Sequence, residues 1–524
     1  MPLLCVLPLL LLRAEAAGAR TNGSNLLFIV VDNLRPSLGA YGEQSVLSPH
    51  IDALAAADGA TLFSRAYCQE AWCSPSRNSF LTGRRPDSTQ AWGFATSFRE
   101  APGGSSWTTL PGHFMKQGYF CASAGKVFHP NLPINFDFPR SWSVQPTIAM
   151  KDECAWGKIS NSTMSCEFVP GDGITDADSV CTDHVLASLD AWQANFSDGT
   201  PFFLAAGYQS PRLPWSFPRA VAARYPEAAK VPITSPELMD SPSDASFALE
   251  WFRPTEIDWY TDIAAMHARP VPTAHQHELR RAYYAAITHV DDQVGRLLSV
   301  LTTKGLFEES LVVFTGQSIF PPFSRHCGEF LGSQLCPGCP CIYLRSVVCA
   351  SHCAANAAVA DHGQNLGELN MWSMMNLLET SLRVPLIIKP PSQSQQQQRR
   401  SNVKVYTHPM ELLDLYPTLT TLAGIAPPPA DQQLQGKDLT RAMQDGAPPP
   451  PGVAAAPTRT GNERGRAAAV AAAYSQITRC VNCSLAYTTD RASYQRGCEV
   501  DSEDSHSFTV PCAITPAARY LLVL

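Results

Sequence analysis

The chain has 524 residues, 45% of them hydrophobic, and a formal net charge of −7. That length accommodates one large α/β domain with a smaller appendage. The mild acidity excludes the basic footprint of a nucleic-acid-binding protein, so any anionic ligand must be recognised by local groups.

Leu3 to Leu12 is an almost unbroken apolar run, followed by Ala14-Glu15-Ala16. This small-x-small pattern marks residues 1–16 as an expected signal peptide. About ten apolar residues fall short of the ~20 needed to span a bilayer, and no later run reaches that length, so no membrane span is expected. Four Asn-x-Ser/Thr sequons (Asn22, Asn161, Asn195, Asn482) and seventeen cysteines fit an exported chain.

Leu26 to Val31 is a continuous apolar run ending in Asp32-Asn33, the pattern of a central parallel strand with polar groups at its C-terminal edge. Ser48-Pro49 predicts a helix start, with Ser as the cap, and Gly59 a stop. Phe202 to Ala206, Leu311 to Thr315 and Val384 to Ile388 read as further strands. Glu278 to Leu301 reads as an amphipathic helix, with Leu279, Tyr283, Ile287, Val290, Val294, Leu297 and Leu301 on one face. Alternating strands and helices predict an α/β fold with a mixed, mostly parallel sheet flanked by helices. Ligands in such sheets bind beyond the carboxyl ends of the strands, where Asp32-Asn33 falls.

Within residues 317–360, Cys327, Cys336, Cys339, Cys341, Cys349 and Cys353 crowd together with His326 and His352. The segment reads either as a poorly structured loop or as a small disulfide or zinc subdomain. Ser392 to Arg400 is a Gln-rich solvated loop. Pro427 to Pro429, Pro448 to Pro451 and an Ala-rich stretch to about Ala473 mark a domain boundary. The expected division is a main domain over 21–425, with the Cys-rich insertion at 317–360. A Pro/Ala-rich linker and a reduced C-terminal subdomain then occupy 426–524.

The strongest chemical signal is Cys73-Ser74-Pro75-Ser76-Arg77, followed by Leu81-Thr82-Gly83-Arg84. Ser74 is expected to cap a helix beginning at Pro75, setting Cys73 against the positive end of the helix dipole, where an anion is favoured. Arg77, one turn on, can neutralise charge at the same place. The whole pattern resembles the signature of the sulfatases. Asp32-Asn33-Leu34-Arg35-Pro36-Ser37-Leu38-Gly39, Gly83-Arg84-Arg85-Pro86-Asp87, Gly125-Lys126-Val127-Phe128-His129-Pro130 and Asp292-Gln293-Val294-Gly295-Arg296 resemble motifs of the iduronate-2-sulfatase group.

That resemblance implies an alkaline-phosphatase-like fold and a sulfuric ester hydrolase. Cys73 would be converted to formylglycine by the formylglycine-generating enzyme of the secretory pathway. One hydroxyl of the hydrated aldehyde would attack sulfur, and the second would lose its proton and expel sulfate. Arg77, Lys126 and His129 match residues that hold the nucleophile and the sulfate. Calcium is the implied metal, with Asp32, Asn33, the modified Cys73, Asp361 and His362 as ligands, a set suited to a hard ion. The implied substrate is a sulfated carbohydrate, and the implied location lysosomal or extracellular.

The chain departs from the pattern in four places. Asn33 stands where the family has a second aspartate. Gln209, in Gly207-Tyr208-Gln209-Ser210-Pro211-Arg212, replaces a histidine placed to protonate the leaving oxygen, while Arg212 replaces a second histidine and retains the ability to bind an anion. Met374 falls where a sulfate-binding lysine is expected. The 317–360 insertion separates Asp361-His362 from its strand. Two other readings follow: a non-catalytic protein that binds sulfated glycans, and a phosphatase or phosphodiesterase of the same fold, for which no two-zinc ligand set can be assembled. Trp142, Trp156 and Trp215 are candidate sugar contacts.

Overall fold

A computed structural model describes residues 23–94, 96–149, 164–196, 199–233, 271–317, 341–344, 365–368, 372, 379–392, 404–448 and 477–480. The expected signal peptide, Trp156, Asp361, His362, Met374 and most of the 317–360 insertion lie outside these residues, as do the sequons at Asn22, Asn161 and Asn482. Asn195 is exposed at a helix end.

The body is an eight-stranded sheet. Its strands are β1 (Asn25–Asp32), β2 (Thr61–Tyr67), β3 (Phe120–Gly125), β5 (Phe202–Tyr208), β7 (Ser310–Gln317), β8 (Arg383–Lys389), β9 (Val405–Tyr406) and β10 (Met410–Glu411). A short parallel pair, β4 (Ser165–Phe168) and β6 (Trp215–Pro218), lies apart from it. The sheet order is β9-β2-β8-β7-β1-β5-β3, with β10 also beside β2. All pairings are parallel except those of β8, which runs antiparallel to both β2 and β7. The sheet is thus mixed and mostly parallel, as the alternation of strands and helices predicts.

β1 is apolar from Leu26 to Val31 because both of its faces are covered. Leu27, Ile29 and Val31 join one core cluster, and Leu26, Phe28 and Val30 the other. The first cluster is roofed by α4 (Ala177–Asn195) and α5 (Thr273–Thr303). All seven residues read as the apolar face of α5 are buried. The opposite face carries α2 (Cys73–Thr82), α3 (Leu110–Lys116) and α6 (Leu415–Leu422). α7 (Thr440–Asp445), beyond the boundary expected at 425, sends Ala442 and Met443 into the same cluster. The preceding turn wraps the exit of α2: Gln435 N donates to Gly83 O, and Arg84 donates to Gln432 O. Residues 341–344 and 477–480 form a separate antiparallel pair.

Two helix starts differ from expectation. Ser48 precedes α1 (Pro49–Ala56), but its hydroxyl makes no cap bond; it accepts from Gly39 N and donates to Asp52. The cap comes from far along the chain, where Asp291 of α5 accepts the amides of His50 and Ile51 at 3.2 and 2.8 Å. A carboxylate already fixed on a packed helix satisfies those N–H groups and leaves Ser48 free for the Gly39 turn. Likewise α2 begins at Cys73 with Trp72 as N-cap, not at Pro75 with Ser74. Ser74 lies inside the helix, and Asn78 Nδ2 donates to its carbonyl.

Candidate active site

The carboxyl end of β1 delivers Asp32 and Asn33, both wholly buried. Asn33 leaves the strand with φ +58°, in the left-handed region that asparagine tolerates better than most residues. Every residue of α2 is buried, Cys73 included. Arg77 reaches from the second turn of α2 to Asp32, its Nη2 2.8 Å from Oδ1, and both side chains are fully excluded from solvent. Its Nη1 donates to the carbonyls of Lys126 and Val127. Arg77 therefore ties α2 to β1 and to the loop after β3.

Lys126 stands at the end of β3, its Nζ 3.5 Å from Asp32 Oδ2. Burial pulls its ammonium down to about 7, against the upward pull of Asp32 and of Cys73, while Arg212 and Arg77 push it lower. Its backbone is held by a close strand approach, with Lys126 N donating to Gly207 O at 2.7 Å. A Cβ on Gly207 would fall 2.1 Å from the Lys126 carbonyl carbon, so only glycine fits there. Burial, with Lys126 and Arg77 nearby, holds His129 well below the ordinary imidazole range, hence neutral. Its Nδ1 lies 3.0 Å from the carbonyl of Pro130, which accepts only, leaving Nε2 with the lone pair.

Gln209 and Arg212 follow β5 and are both buried. Gln209 Nε2 donates to Ala149 O at 2.5 Å. Asp178, in the first turn of α4, accepts the amides of Gln209 and Ser210 and fixes that turn. The fold thus brings Asp32, Arg77 and Lys126 into direct contact, with Cys73, His129 and Arg212 close enough to act on the same charges. Asp361 and His362 fall outside the described residues. Only oxygen donors, a carboxylate and an amide, stand at the end of β1. The Asp32 carboxylate keeps lone pairs beyond those given to Arg77 and Lys126, so this donor set fits a hard divalent cation. His50, Asp291 and Asp292 form a second potential cluster, with ligand atoms within 4.8 Å of one another. There Asp291 already caps α1, and Asp292 makes a bidentate pair with Arg224.

Trp142 and Trp215 are not sugar contacts: both are fully buried, Trp142 donating to Phe136 O and Trp215 packing edge-on against Tyr283. The half-buried aromatics near the site are instead Trp72 and Phe94, with Phe94 stacked on His129 at 4.6 Å and edge-on to Trp72 at 5.1 Å. Trp72 was legible from its place beside Cys73; nothing in the sequence marks Phe94 or Asp178.

A buried cationic cluster around a cysteine at a helix start, beyond the carboxyl ends of a mostly parallel sheet, defines a class of hydrolase. Residues 24–317 match the sequence model of the Sulfatase family, and the chain belongs to that family. Among named relatives it is 30% identical over 448 residues to iduronate 2-sulfatase of Homo sapiens, covering 79% of this chain and 71% of that protein. It is 24% identical over 426 residues to choline-sulfatase of Rhizobium meliloti, covering 78% and 69%. Among solved structures, a protein in complex with its substrate D-glucosamine-2-N,6-O-disulfate shares the fold with a TM-score of 0.55 at 16% identity, covering 81% of both chains. The phosphonate monoester hydrolase of Agrobacterium radiobacter does so with a TM-score of 0.53 at 17% identity, covering 81% of this chain and 78% of that one. Among the described residues, no helix is long and apolar enough to cross a membrane.

Proposed function

We propose that this sulfatase removes sulfate from a sulfated sugar of the iduronate 2-sulfate type, using formylglycine derived from Cys73 and a calcium ion held by Asp32 and Asn33. The observation that carries this reading is the Asp32–Arg77–Lys126 cluster packed against Cys73, in which buried cations outnumber the carboxylate. Formylglycine supplies a hydrated aldehyde as nucleophile, and calcium supplies Lewis acidity toward a sulfate oxygen. Arg77, fixed by Asp32 and two carbonyls, holds α2 in register with β1. Lys126 and Arg212 supply positive charge where the sulfate gathers negative charge. His129, neutral and stacked on Phe94, offers a lone-pair nitrogen to the substrate side. Exclusion of water strengthens each of these interactions. A secretory-pathway location, lysosomal or extracellular, accords with the disulfide at Cys166 and with the sequons.

One observation favours a second reading, a sulfated-glycan binder without catalysis. Gln209 is a neutral amide whose Nε2 is engaged by Ala149 O, so it cannot serve as a general acid. Mass spectrometry of the tryptic peptide from Ala66 to Arg77, together with parallel assays on aryl sulfate, aryl phosphate and sulfated disaccharides, separates the readings. Formylglycine with sulfate release supports the hydrolase. Unmodified thiol, with the modifying enzyme present, leaves the binder.

A further inference from the structure

We infer that Tyr283 is a positioning residue for the cation site, its single hydroxyl clamping the left-handed turn that aims Asp32 and Asn33. This rests on the reading of Asp32 and Asn33 as cation ligands. Tyr283 sits on α5 and is wholly buried. Its hydroxyl donates to Asn33 O at 2.8 Å and accepts from Arg35 N at 3.0 Å. One oxygen atom therefore closes a bridge across the turn that follows β1, serving the carbonyl on one side and the amide on the other.

The turn needs such a bridge. Asn33 holds φ +58°, a conformation that costs most L-residues and that asparagine tolerates, so the turn gains from being held. Its carbonyl and the Arg35 amide face the buried side, where water cannot replace a lost partner. The ring of Tyr283 is itself fixed, packed edge-on against Trp215 with centroids 5.8 Å apart. α5 grips the same turn a second time, since Glu368 Oε1 accepts from Arg280 of that helix and from Arg35, each at 3.0 Å. The long helix thus fixes both the backbone and the flanking side chain of the turn, and with them the direction in which the Asp32 and Asn33 oxygens point. Residues that orient metal ligands from behind commonly govern affinity by about 10- to 100-fold.

The test is calcium binding by the purified protein, stripped with chelator and titrated with calcium chloride, followed by thermal shift and by calorimetry. Tyr283→Phe is expected to bind calcium about tenfold more weakly than wild type. Tyr225→Phe is the matched control, because the Tyr225 hydroxyl likewise accepts a backbone amide, Leu47 N at 2.8 Å, but bridges to Thr288. It is expected to lower metal-free stability and to keep affinity within about twofold of wild type. Equal loss in the two variants, or wild-type affinity in Tyr283→Phe, overturns the inference. If Tyr283→Phe is not recovered folded, Glu368→Gln takes its place: weaker calcium binding supports the clamp, and unchanged affinity refutes it. Asp32→Asn distinguishes the underlying reading. Should wild type not respond to calcium, or Asp32→Asn respond fully, the cation site itself is misassigned and the clamp falls with it.

Discussion

Replacing Arg77 by methionine removes a guanidinium but keeps much of the volume of the side chain. In the folded protein this strips Asp32 of a partner at 2.8 Å where neither side chain sees solvent, and leaves Lys126, at 3.5 Å, as its ion-pair partner among the described residues. The carbonyls of Lys126 and Val127 lose their donor as well. Breaking a buried pair from one side costs about 3–5 kcal/mol, because the remaining charge is uncompensated. With an unfolding entropy of about 2 cal/mol/K per residue over the roughly 310 described residues, that corresponds to a drop in Tm of about 5–8 °C. Removing both partners is different: in Asp32→Asn/Arg77→Met no buried carboxylate is stranded, and a large part of the loss should be recovered. Thermal unfolding of the purified single and double variants, in chelator so that no metal stands in for the lost cation, measures both. A single variant within about 1 °C of wild type, or a double variant as unstable as the single, would refute the account of Arg77 as the charge partner of Asp32.

Three further outcomes follow from the same structure. Burial raises the carboxyl of Asp414 to about 7, with Glu411 adding to it, and burial raises that of Asp291 to about 6. These carboxyls bind protons more tightly folded than unfolded, so their contribution is present at low pH and lost as pH rises from about 4 through 6 to 7. Glu368, held below the ordinary carboxylate range by Arg35 and Arg280 despite its burial, acts oppositely and loses its contribution as the medium becomes strongly acidic. Tm measured from pH 4 to 8 should therefore peak on the mildly acidic side, and Asp414→Asn should flatten the alkaline limb. Gln209→His should raise turnover of an aryl sulfate, by up to about 10²- to 10⁴-fold if it restores a general acid, and no increase would show that the Ala149 contact leaves no room for one. Gly207→Ala should destabilise by about 1–3 kcal/mol in urea unfolding and lower activity, because its methyl would collide with the Lys126 backbone.

What the sequence made legible was set by how local the cause was. β1, β5, β7 and β8 are apolar runs because each lies deep in the sheet, and the buried stripe of α5 is written in its own periodicity. β2 and β3 were not anticipated. Thr61–Tyr67 carries Ser64 and Arg65 half-buried among apolar neighbours, and Phe120–Gly125 is made of small residues with weak strand preference. Both are strands because neighbours complete them. The same division holds at the site. Cys73, Arg77 and Lys126 lie in contiguous motifs, whereas Asp178, Phe94 and Tyr283 reach it from loops and helices whose relation to β1 exists only in three dimensions. The start of α2 was misplaced for a related reason: Ser74 has the composition of a cap, but the chain enters the helix at Trp72.

The wrapping of α2 by distant chain has a consequence for timing. All ten residues of this helix are buried, in part beneath the segment that carries Leu412, Leu415 and Tyr416. Roughly 340 residues separate Cys73 from that cover, which at about 5–20 residues per second amounts to about 20–70 s of synthesis. During that interval Cys73 belongs to an incomplete chain, and afterwards to a closed interior. Any protein that must handle this cysteine as an extended peptide has to do so before that cover packs down.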